Sequence, residues 1–265
     1  MTLSDAVKIL EEAGVDSPLY DARELFKRYV HGAVFLNTEC NDERLLSDIK
    51  RRADREPLQY IIGEVGFYRE SYLVSPDCLI PRSDTELLVD YAVKNIPEGE
   101  SFIDLCTGSG CVAISTLKNT KNTTAIALDI SEGALEVARK NAKRNGVEKR
   151  IEFISADALA EPMCDRVFAL LSNPPYVSEA AYLTLEKEIY REPRIAFVGG
   201  EDGCDFYRRI TRLYRDRIDK NGFIAYEIGY DQAELLTEIA KENSMSCRIF
   251  KDLSGNDRLA VLQIE

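Results

Sequence analysis

Two short motifs combine residue types that could bind a charged small molecule and hold an amide. Residues 104–113 read Asp-Leu-Cys-Thr-Gly-Ser-Gly-Cys-Val-Ala, and residues 172–176 read Ser-Asn-Pro-Pro-Tyr. Neither motif contains a histidine, and the single histidine of the chain, His31, is expected to be structural. Ser-His-Asp and Cys-His catalysis and multi-histidine metal sites are therefore excluded.

The first motif predicts a tight turn between a strand and a helix. Gly108 and Gly110 let the backbone turn sharply and approach a ligand closely. Asp129 ends the next predicted strand, where a carboxylate can accept hydrogen bonds from both hydroxyls of a ribose. A nicotinamide dinucleotide and S-adenosylmethionine both fit this pattern. Asp104 favours S-adenosylmethionine, because it would repel a pyrophosphate and attract an ammonium and a sulfonium. A turn-capping aspartate is the alternative for Asp104.

A further acid, Asp157, follows the third predicted strand. It is placed to meet an adenine amino group, or it is an ordinary loop acid.

The second motif predicts a rigid pair of hydrogen-bond acceptors followed by an aromatic ring. Pro174 and Pro175 fix the backbone and carry no N–H, so the Asn173 side-chain oxygen and the Pro174 carbonyl lie side by side. Tyr176 adds a flat face. This arrangement fits a planar amino group, whose nitrogen could be held in line with a methyl donor while positive charge develops on it. A proline-rich turn is the alternative.

The elements that must position these motifs alternate between strand and helix from about residue 97. Repeated βα units predict a mostly parallel sheet with helices on both faces and ligands at the carboxyl ends of the strands. The predicted strands are 101–105, 125–128, 151–154, 167–171 and 223–228, with a closing antiparallel pair at 247–250 and 259–264. The predicted helices cover about 110–117, the stretch from the Ser131 cap to Asn145, and a stretch that ends near Lys241.

The N-terminal part predicts a small helical bundle. Ser4 is a candidate cap for the first helix and Asn41 for the third, and apolar residues at helical spacing mark the helix between them. Phe67 and Tyr72 suggest a hairpin that follows. The expected boundaries are a helical domain at 1–55, a hairpin linker at 56–76 and an α/β domain at 77–265.

Composition narrows the class of protein further. The chain carries 34 Lys plus Arg against 46 Asp plus Glu, a net charge of -12, which disfavours a nucleic-acid binder. The run Lys50–Arg52 is a candidate basic patch or a solvated helix face. No apolar stretch approaches the roughly 20 residues that cross a bilayer. The 7 scattered cysteines form no metal-binding pattern and suggest reduced thiols in the cytoplasm.

Further segments match a known family. They are Arg55-Glu56-Pro57-Leu58-Gln59-Tyr60-Ile61, Ile80–Glu86, Glu192-Pro193, Gly199–Gly203 with Phe206-Tyr207, Glu227–Gly229 and Asp257-Arg258. Together with the two motifs, they make the chain resemble, over nearly its whole length, the HemK/PrmC family of protein-(glutamine-N5) methyltransferases that act on peptide chain release factors.

The resemblance implies a Rossmann-like, seven-stranded, S-adenosylmethionine-dependent methyltransferase domain after a small helical domain and a β-hairpin linker. It implies methyl transfer from S-adenosylmethionine to the side-chain amide nitrogen of the glutamine in a Gly-Gly-Gln loop. It predicts no metal, no membrane contact and no nucleic-acid substrate. The implied catalytic residues are Asn173, Pro174, Pro175 and Tyr176. The implied cofactor residues are Asp104, Cys106, Thr107, Gly108, Ser109, Gly110, Asp129, Ile130, Asp157, Ala158 and Asn173.

Two residues depart from the family pattern. Cys106 stands where the family usually has glycine, so the approach of the backbone to the ligand could differ there. Ala158 replaces a frequent aromatic residue, and Ile130 or Leu159 would have to complete the adenine wall.

Other assignments stay open at this stage. Ser83 and Glu86 have the spacing of a capping box. Arg82 either contacts the partner or cofactor or forms a structural salt bridge. An adenine-N6 or cytosine-N4 methyltransferase would share the Asn-Pro-Pro-Tyr motif, although it should carry a basic recognition domain. A non-enzymatic cofactor-binding protein would not need that motif.

Overall fold

The computed structural model describes residues 1–264, which form two compact units. The first unit comprises Met1–Glu64 and a short later segment, Glu186–Arg191. The second comprises Val65–Leu185 and the chain from Glu192 onward. The segment 186–191 therefore belongs to the helical unit. The boundaries expected from the sequence, 1–55, 56–76 and 77–265, place it in the α/β domain instead.

The first unit is built from four helices around an apolar core. The helices are α1 (Leu3–Glu12), α2 (Pro18–Lys27), α3 (Glu43–Ala53) and α4 (Leu58–Ile62). Their amphipathic faces bury a shared set of side chains that includes Leu3, Leu10, Leu25, Phe26, Leu45 and Ile49. Burial of these side chains, rather than helix propensity, is what stabilises helices of this length.

The first and third helices begin at different residues from those predicted. Thr2, not Ser4, caps α1: its hydroxyl accepts the Asp5 N–H at 3.1 Å while the Asp5 carboxylate accepts the Thr2 N–H at 2.9 Å. This reciprocal pair satisfies two free backbone donors at once. Asp42, not Asn41, caps α3.

The basic run at 50–52 is divided between surface and interior: Lys50 is exposed, Arg51 is half-buried and Arg52 is buried. Arg52 is buried, and it donates to Asp21 at 2.6 Å and to Glu188 at 2.9 Å. Arg51 binds Glu56. Arg52 therefore ties the later segment to the helical unit, since Glu188 belongs to 186–191.

The second unit contains a hairpin and a large sheet. The hairpin pairs β1 (Glu64–Phe67) with β2 (Glu70–Leu73). The sheet strands are β3 (Ser101–Leu105), β4 (Thr124–Asp129), β5 (Ile151–Ser155), β6 (Val167–Ser172), β7 (Ile218–Glu227), β8 (Met245–Lys251) and β9 (Asp257–Ile264). The helices are α5 (Glu86–Asn95), α6 (Cys111–Asn119), α7 (Glu132–Asn145), α8 (Glu179–Tyr182), α9 (Asp205–Tyr214) and α10 (Ala233–Glu242).

The sheet has the order β5-β4-β3-β6-β7-β9-β8. All neighbouring strands from β5 to β7 pair in parallel, and β9 runs antiparallel to both β7 and β8. The predicted seven-stranded Rossmann-like fold is therefore confirmed. β3 is the strand where the order reverses, and ligands bind at the carboxyl ends next to such a switch point.

Side-chain alternation along the strands builds a core on each face of the sheet. Phe102 belongs to one apolar cluster and Ile103 to the other, since successive strand residues point to opposite faces. Both side chains are fully buried. The central strands are thus covered on both faces, as the repeated βα pattern predicts.

The capping box predicted at Ser83 and Glu86 is wrong. Ser83–Thr85 is a 3-10 turn and α5 begins at Glu86, without a side-chain cap. The Glu86 carboxylate instead accepts the Tyr68 N–H of the hairpin at 2.7 Å. Arg82 forms a salt bridge with Glu192, as one of its two expected roles predicts.

Asn141 on α7 ties the hairpin to the glycine turn. Its Oδ1 accepts the Leu73 N–H at 2.7 Å, and its Nδ2 donates to the Leu73 carbonyl at 3.0 Å and to the Ser109 carbonyl at 2.9 Å. The side chain is fully buried. One amide therefore satisfies three backbone groups that belong to two separate segments.

We expect Asn141→Ala to lower the free energy of unfolding by about 2–5 kcal/mol, because buried groups that lose their partners each cost about 1–3 kcal/mol. Urea unfolding followed by circular dichroism measures this. Asn95→Ala is the matched control, since Asn95 is exposed and donates only to the Tyr91 carbonyl. Equal effects of the two substitutions would contradict the bridging role of Asn141.

Candidate active site

A cavity lies at the carboxyl ends of β3, β4 and β6. Its polar lining includes three of the predicted acids and amides, Asp129, Asp157 and Asn173. A smaller cavity adjoins it and is lined by Asp104, Thr107 and Ser109. The two cavities share four lining residues: Leu79, Cys106, Gly108 and Asn173.

The glycine turn has the left-handed backbone that its sequence predicts. Gly108 has φ 54° and Gly110 has φ 81°. A Cβ at Gly110 would lie 2.9 Å from Ile114 Cδ1 and 3.1 Å from Ala138 Cβ, so a side chain there would collide with α6 and α7. Gly110 therefore serves the packing of the turn and lines neither cavity.

Cys106 adopts the backbone of the glycine that the family usually has at its position. Its φ is 60°, a left-handed conformation that costs a non-glycine residue roughly 1–2 kcal/mol. The turn thus keeps its path despite the substitution. Burial raises the pKa of the Cys106 thiol well above its usual value, so the group is neutral.

Asp104 lies under the turn and is almost completely buried. Its Oδ2 accepts the Thr107 hydroxyl at 2.6 Å and the Ala113 N–H at 3.2 Å, which are the contacts of a turn-capping aspartate. It also lines the smaller cavity. Burial raises the pKa of Asp104 to about 7, and the nearby Asp129 adds to the effect.

Asp129 ends β4 with both carboxylate oxygens engaged by backbone donors. Oδ2 accepts the Gly108 N–H at 2.8 Å and Oδ1 accepts the Ser131 N–H at 2.9 Å. Burial raises its pKa. Because each oxygen of a carboxylate has a second lone-pair site, the group can still accept two hydroxyls of a ligand.

One further acid and several apolar side chains complete the wall of the larger cavity. The Asp157 Oδ1 accepts the Leu159 N–H at 2.8 Å, and Asp157, Ala158 and Ile130 all line the cavity. Leu159 is not among the lining residues that the structure describes. Sequence reasoning missed the other apolar walls, which come from distant segments: Leu79, Pro193, Ile195, Ala196 and Phe206.

The Asn-Pro-Pro-Tyr segment leaves β6 directly at the cavity. Asn173 Nδ2 donates to the Thr85 hydroxyl oxygen at 3.2 Å. Asn173 Oδ1 and the Pro174 carbonyl oxygen accept no hydrogen bond within residues 1–264. Asn173 and Pro175 line the cavity, whereas Pro174 and Tyr176 do not. Two acceptors that are next to each other in the chain therefore lack a partner in the described structure, and the Asn173 side chain brings one of them to the cavity wall.

Tyr176 is anchored by its hydroxyl. It donates to Glu227 Oε1 at 3.2 Å, and burial raises the Tyr176 pKa. Glu227 is buried at the end of β7, and its Oε2 has no hydrogen-bond partner. Burial raises the pKa of Glu227 to about 7, although the Thr85 hydroxyl, the Arg258 guanidinium and Tyr176 act in the opposite direction.

The glycines after residue 198 press on the backbone of the Asn-Pro-Pro-Tyr segment. A Cβ at Gly199 would lie 2.3 Å from the Pro175 carbonyl oxygen, and one at Gly203 would lie 2.2 Å from the Tyr176 carbonyl oxygen. Gln232 Nε2 donates to that same Tyr176 oxygen at 3.0 Å. The glycine-rich stretch therefore fixes the path of the chain behind the acceptor pair.

Within residues 1–264 the structure contains no cluster of three or more His, Cys, Asp or Glu side chains that could hold an ion. In the same range, none of the helices is both long and apolar enough to cross a bilayer.

Comparisons with known proteins agree with the geometry. Residues 83–196 match the family described as Methyltransferase small domain. The release factor glutamine methyltransferase of Geobacter sulfurreducens is 37% identical over 80% of this chain and 74% of that protein. The release factor glutamine methyltransferase of Chlorobaculum tepidum is 33% identical over 97% of this chain and 94% of that protein.

Solved structures support the fold alone. The hMettl16 catalytic domain in complex with the MAT2A 3′UTR hairpin 6 aligns with a TM-score of 0.60 at 15% identity, covering 93% of this chain and 92% of that one. The ribosomal protein L11 methylase of Lactobacillus delbrueckii subsp. bulgaricus aligns with a TM-score of 0.54 at 16% identity, covering 72% and 84%. The identities to the curated relatives are much higher and extend along most of the sequence. The chain therefore belongs to the release factor glutamine methyltransferase family.

Proposed function

We propose that this protein transfers a methyl group from S-adenosylmethionine to the side-chain amide nitrogen of the glutamine in the Gly-Gly-Gln loop of peptide chain release factors. The observation that carries the proposal is the pair of unpartnered acceptors, Asn173 Oδ1 and the Pro174 carbonyl, beside the cavity. The names of the relatives supply the class of substrate.

The residues around the two cavities fit S-adenosylmethionine. Asp104 would face the ammonium, Asp129 the ribose hydroxyls and Asp157 the adenine amino group. Bound S-adenosylmethionine supplies an electrophilic methyl group on a sulfonium. The carboxyl of Asp104 lies in the wall of the smaller cavity, where its ionised form would attract an ammonium and repel a pyrophosphate.

The acceptor pair explains how an unreactive amide nitrogen can accept a methyl group. Its lone pair is delocalised into the carbonyl, so attack requires close alignment with the methyl donor. Asn173 Oδ1 and the Pro174 carbonyl would each accept one N–H of the target and hold the nitrogen in place. Both oxygens also stabilise the positive charge that develops as the nitrogen–carbon bond forms. The proton leaves the methylated nitrogen afterwards, so no histidine base is needed.

The helical unit would serve recognition of the partner. Its core is apolar, and its charged groups pair with one another, as Arg52 does with Asp21 and Glu188. A release factor is a macromolecule that must be positioned by contacts remote from the reacting amide. We therefore assign partner recognition to 1–55, a linker role to 56–76 and catalysis to 77–265, with the reaction in the cytoplasm.

Methyl transfer from radiolabelled S-adenosylmethionine tests the proposed function. Purified release factor, the same factor with the Gly-Gly-Gln glutamine replaced by alanine, tRNA and DNA are offered separately. We expect label in the intact factor and in no other sample. Label in tRNA or DNA instead would establish the adenine or cytosine amino-methyltransferase alternative.

We expect Asn173→Leu to lower the single-turnover rate of methyl transfer by about two to three orders of magnitude, as for other single preorganised groups that stabilise developing charge. Leucine keeps the volume but has no acceptor. Cofactor affinity measured by calorimetry should stay within about twofold, an upper limit that corresponds to roughly 0.4 kcal/mol. A rate near that of the wild type would rule out the acceptor pair as the amide site.

We expect cofactor affinity to rise severalfold between about pH 6 and pH 7.5, below the range near 7.7–8.0 in which an α-amino group loses its charge. The raised pKa of Asp104, about 7, leaves its carboxyl largely neutral at pH 6, and only the ionised form attracts an ammonium. Calorimetric titrations across this range measure the effect.

Asp104→Asn is the control, because its amide oxygen can still accept the Thr107 and Ala113 donors. This variant should bind more weakly at pH 7.5 and show a nearly flat pH profile. The same slope in the wild type and in Asp104→Asn would remove Asp104 from the site of the ammonium.

A further inference from the structure

Thr85 contacts the acceptor pair without belonging to either motif. It is buried in the 3-10 turn before α5, and its hydroxyl oxygen receives the Asn173 Nδ2 donor at 3.2 Å. An asparagine amide can turn over about its last bond and exchange its oxygen and nitrogen at little cost in shape. The acceptor pair exists in only one of these orientations, because the other would point an N–H donor at the N–H donors of the target.

The observed hydrogen bond holds the amide in the orientation that the acceptor pair needs. Asn173 Nδ2 lies on the Thr85 oxygen, which leaves Asn173 Oδ1 to face a ligand. Within residues 1–264 this is the one hydrogen bond that the Asn173 side chain makes, and both residues line the smaller cavity. Loss of the Thr85 hydroxyl would therefore leave the amide free to turn.

We propose that Thr85 is a positioning residue that holds the Asn173 amide with its oxygen toward the target glutamine. It acts through Asn173. The inference rests on the proposed function, since it gives the fixed amide its target.

Substitutions that remove only the hydroxyl test this proposal. Thr85→Val keeps the shape and Thr85→Ser keeps the hydroxyl. We expect the single-turnover rate at saturating release factor to fall about three- to tenfold in Thr85→Val, the scale of one hydrogen bond, and to stay near that of the wild type in Thr85→Ser.

Thr116→Val is the matched control. Thr116 is equally buried, in α6, and its hydroxyl has no hydrogen-bond partner. This variant should transfer methyl groups at the rate of the wild type. In Thr85→Val, calorimetry should show an unchanged affinity of the S-adenosylhomocysteine complex for release factor, so that the loss appears in the rate of methyl transfer at saturating cofactor.

A double-mutant cycle separates positioning from a general structural effect. If Thr85 acts through Asn173, Thr85→Val should cause no further loss in an Asn173→Ala background. Additive losses, an unchanged rate in Thr85→Val, or a loss of the same size in Thr85→Ser would each overturn the proposal. Thr85→Ala, compared in the same cycle, replaces Thr85→Val if that variant does not fold. A wild-type enzyme that does not methylate release factor would instead refute the proposed function itself.

Discussion

The pairing of β3 with β6 is the constraint on which the site depends. Leu105 and Ser172 face each other in the register of these parallel strands, and the Ser172 hydroxyl donates to the Leu105 carbonyl at 2.7 Å. The glycine turn starts directly after one strand and the Asn-Pro-Pro-Tyr segment directly after the other. A shift of β6 by one residue would move the Asn-Pro-Pro-Tyr segment relative to the glycine turn and would exchange the two faces of β6.

Two buried carboxyl groups, those of Asp104 and Glu227, lie close to the glycine turn and to the Asn-Pro-Pro-Tyr segment. Burial raises the pKa of Asp104 and that of Glu227 to about 7. The sign follows from the direction of the shift: each group stabilises the fold below its unfolded pKa, and this contribution is lost as the pH rises through 7. Holding such groups inside the domain is a cost to stability that binding sites commonly carry. Asp104 accepts the Thr107 hydroxyl of the glycine turn, and Glu227 accepts the Tyr176 hydroxyl of the Asn-Pro-Pro-Tyr segment.

The parts of the site that depend on backbone chemistry could be predicted from the sequence. Gly108 and Gly110 predict a tight turn, because glycine tolerates backbone conformations that other residues avoid. Pro174 and Pro175 predict a rigid segment, because proline fixes its own φ. The parallel sheet followed from repeated apolar strands, although β7 begins at Ile218 rather than at 223. The start of β7 could not be recognised because residues 219–221 are polar. Glycine is required at position 222, since a Cβ there would lie 2.0 Å from the Phe168 carbonyl oxygen.

Contacts between distant segments could not be predicted in this way. Thr85 reaches Asn173 and Asn141 reaches Leu73 only after the chain has folded, and neither pair has a spacing that a local pattern reveals. The segment around Thr85 resembles the family sequence, but its expected capping box does not form. The burial of Arg52 depended on Glu188, which lies far along the chain. Composition and periodicity therefore do not predict which polar side chains pair when they are far apart in the chain.

The most direct test of the account is a crystal structure of the enzyme with S-adenosylhomocysteine and a release factor. The account predicts that the side-chain nitrogen of the Gly-Gly-Gln glutamine lies about 3 Å from both Asn173 Oδ1 and the Pro174 carbonyl oxygen, a normal hydrogen-bond distance. It also predicts that Asn173 Nδ2 stays on the Thr85 hydroxyl. A glutamine that turns its carbonyl oxygen toward Asn173, or that lies away from the pair, would contradict the account.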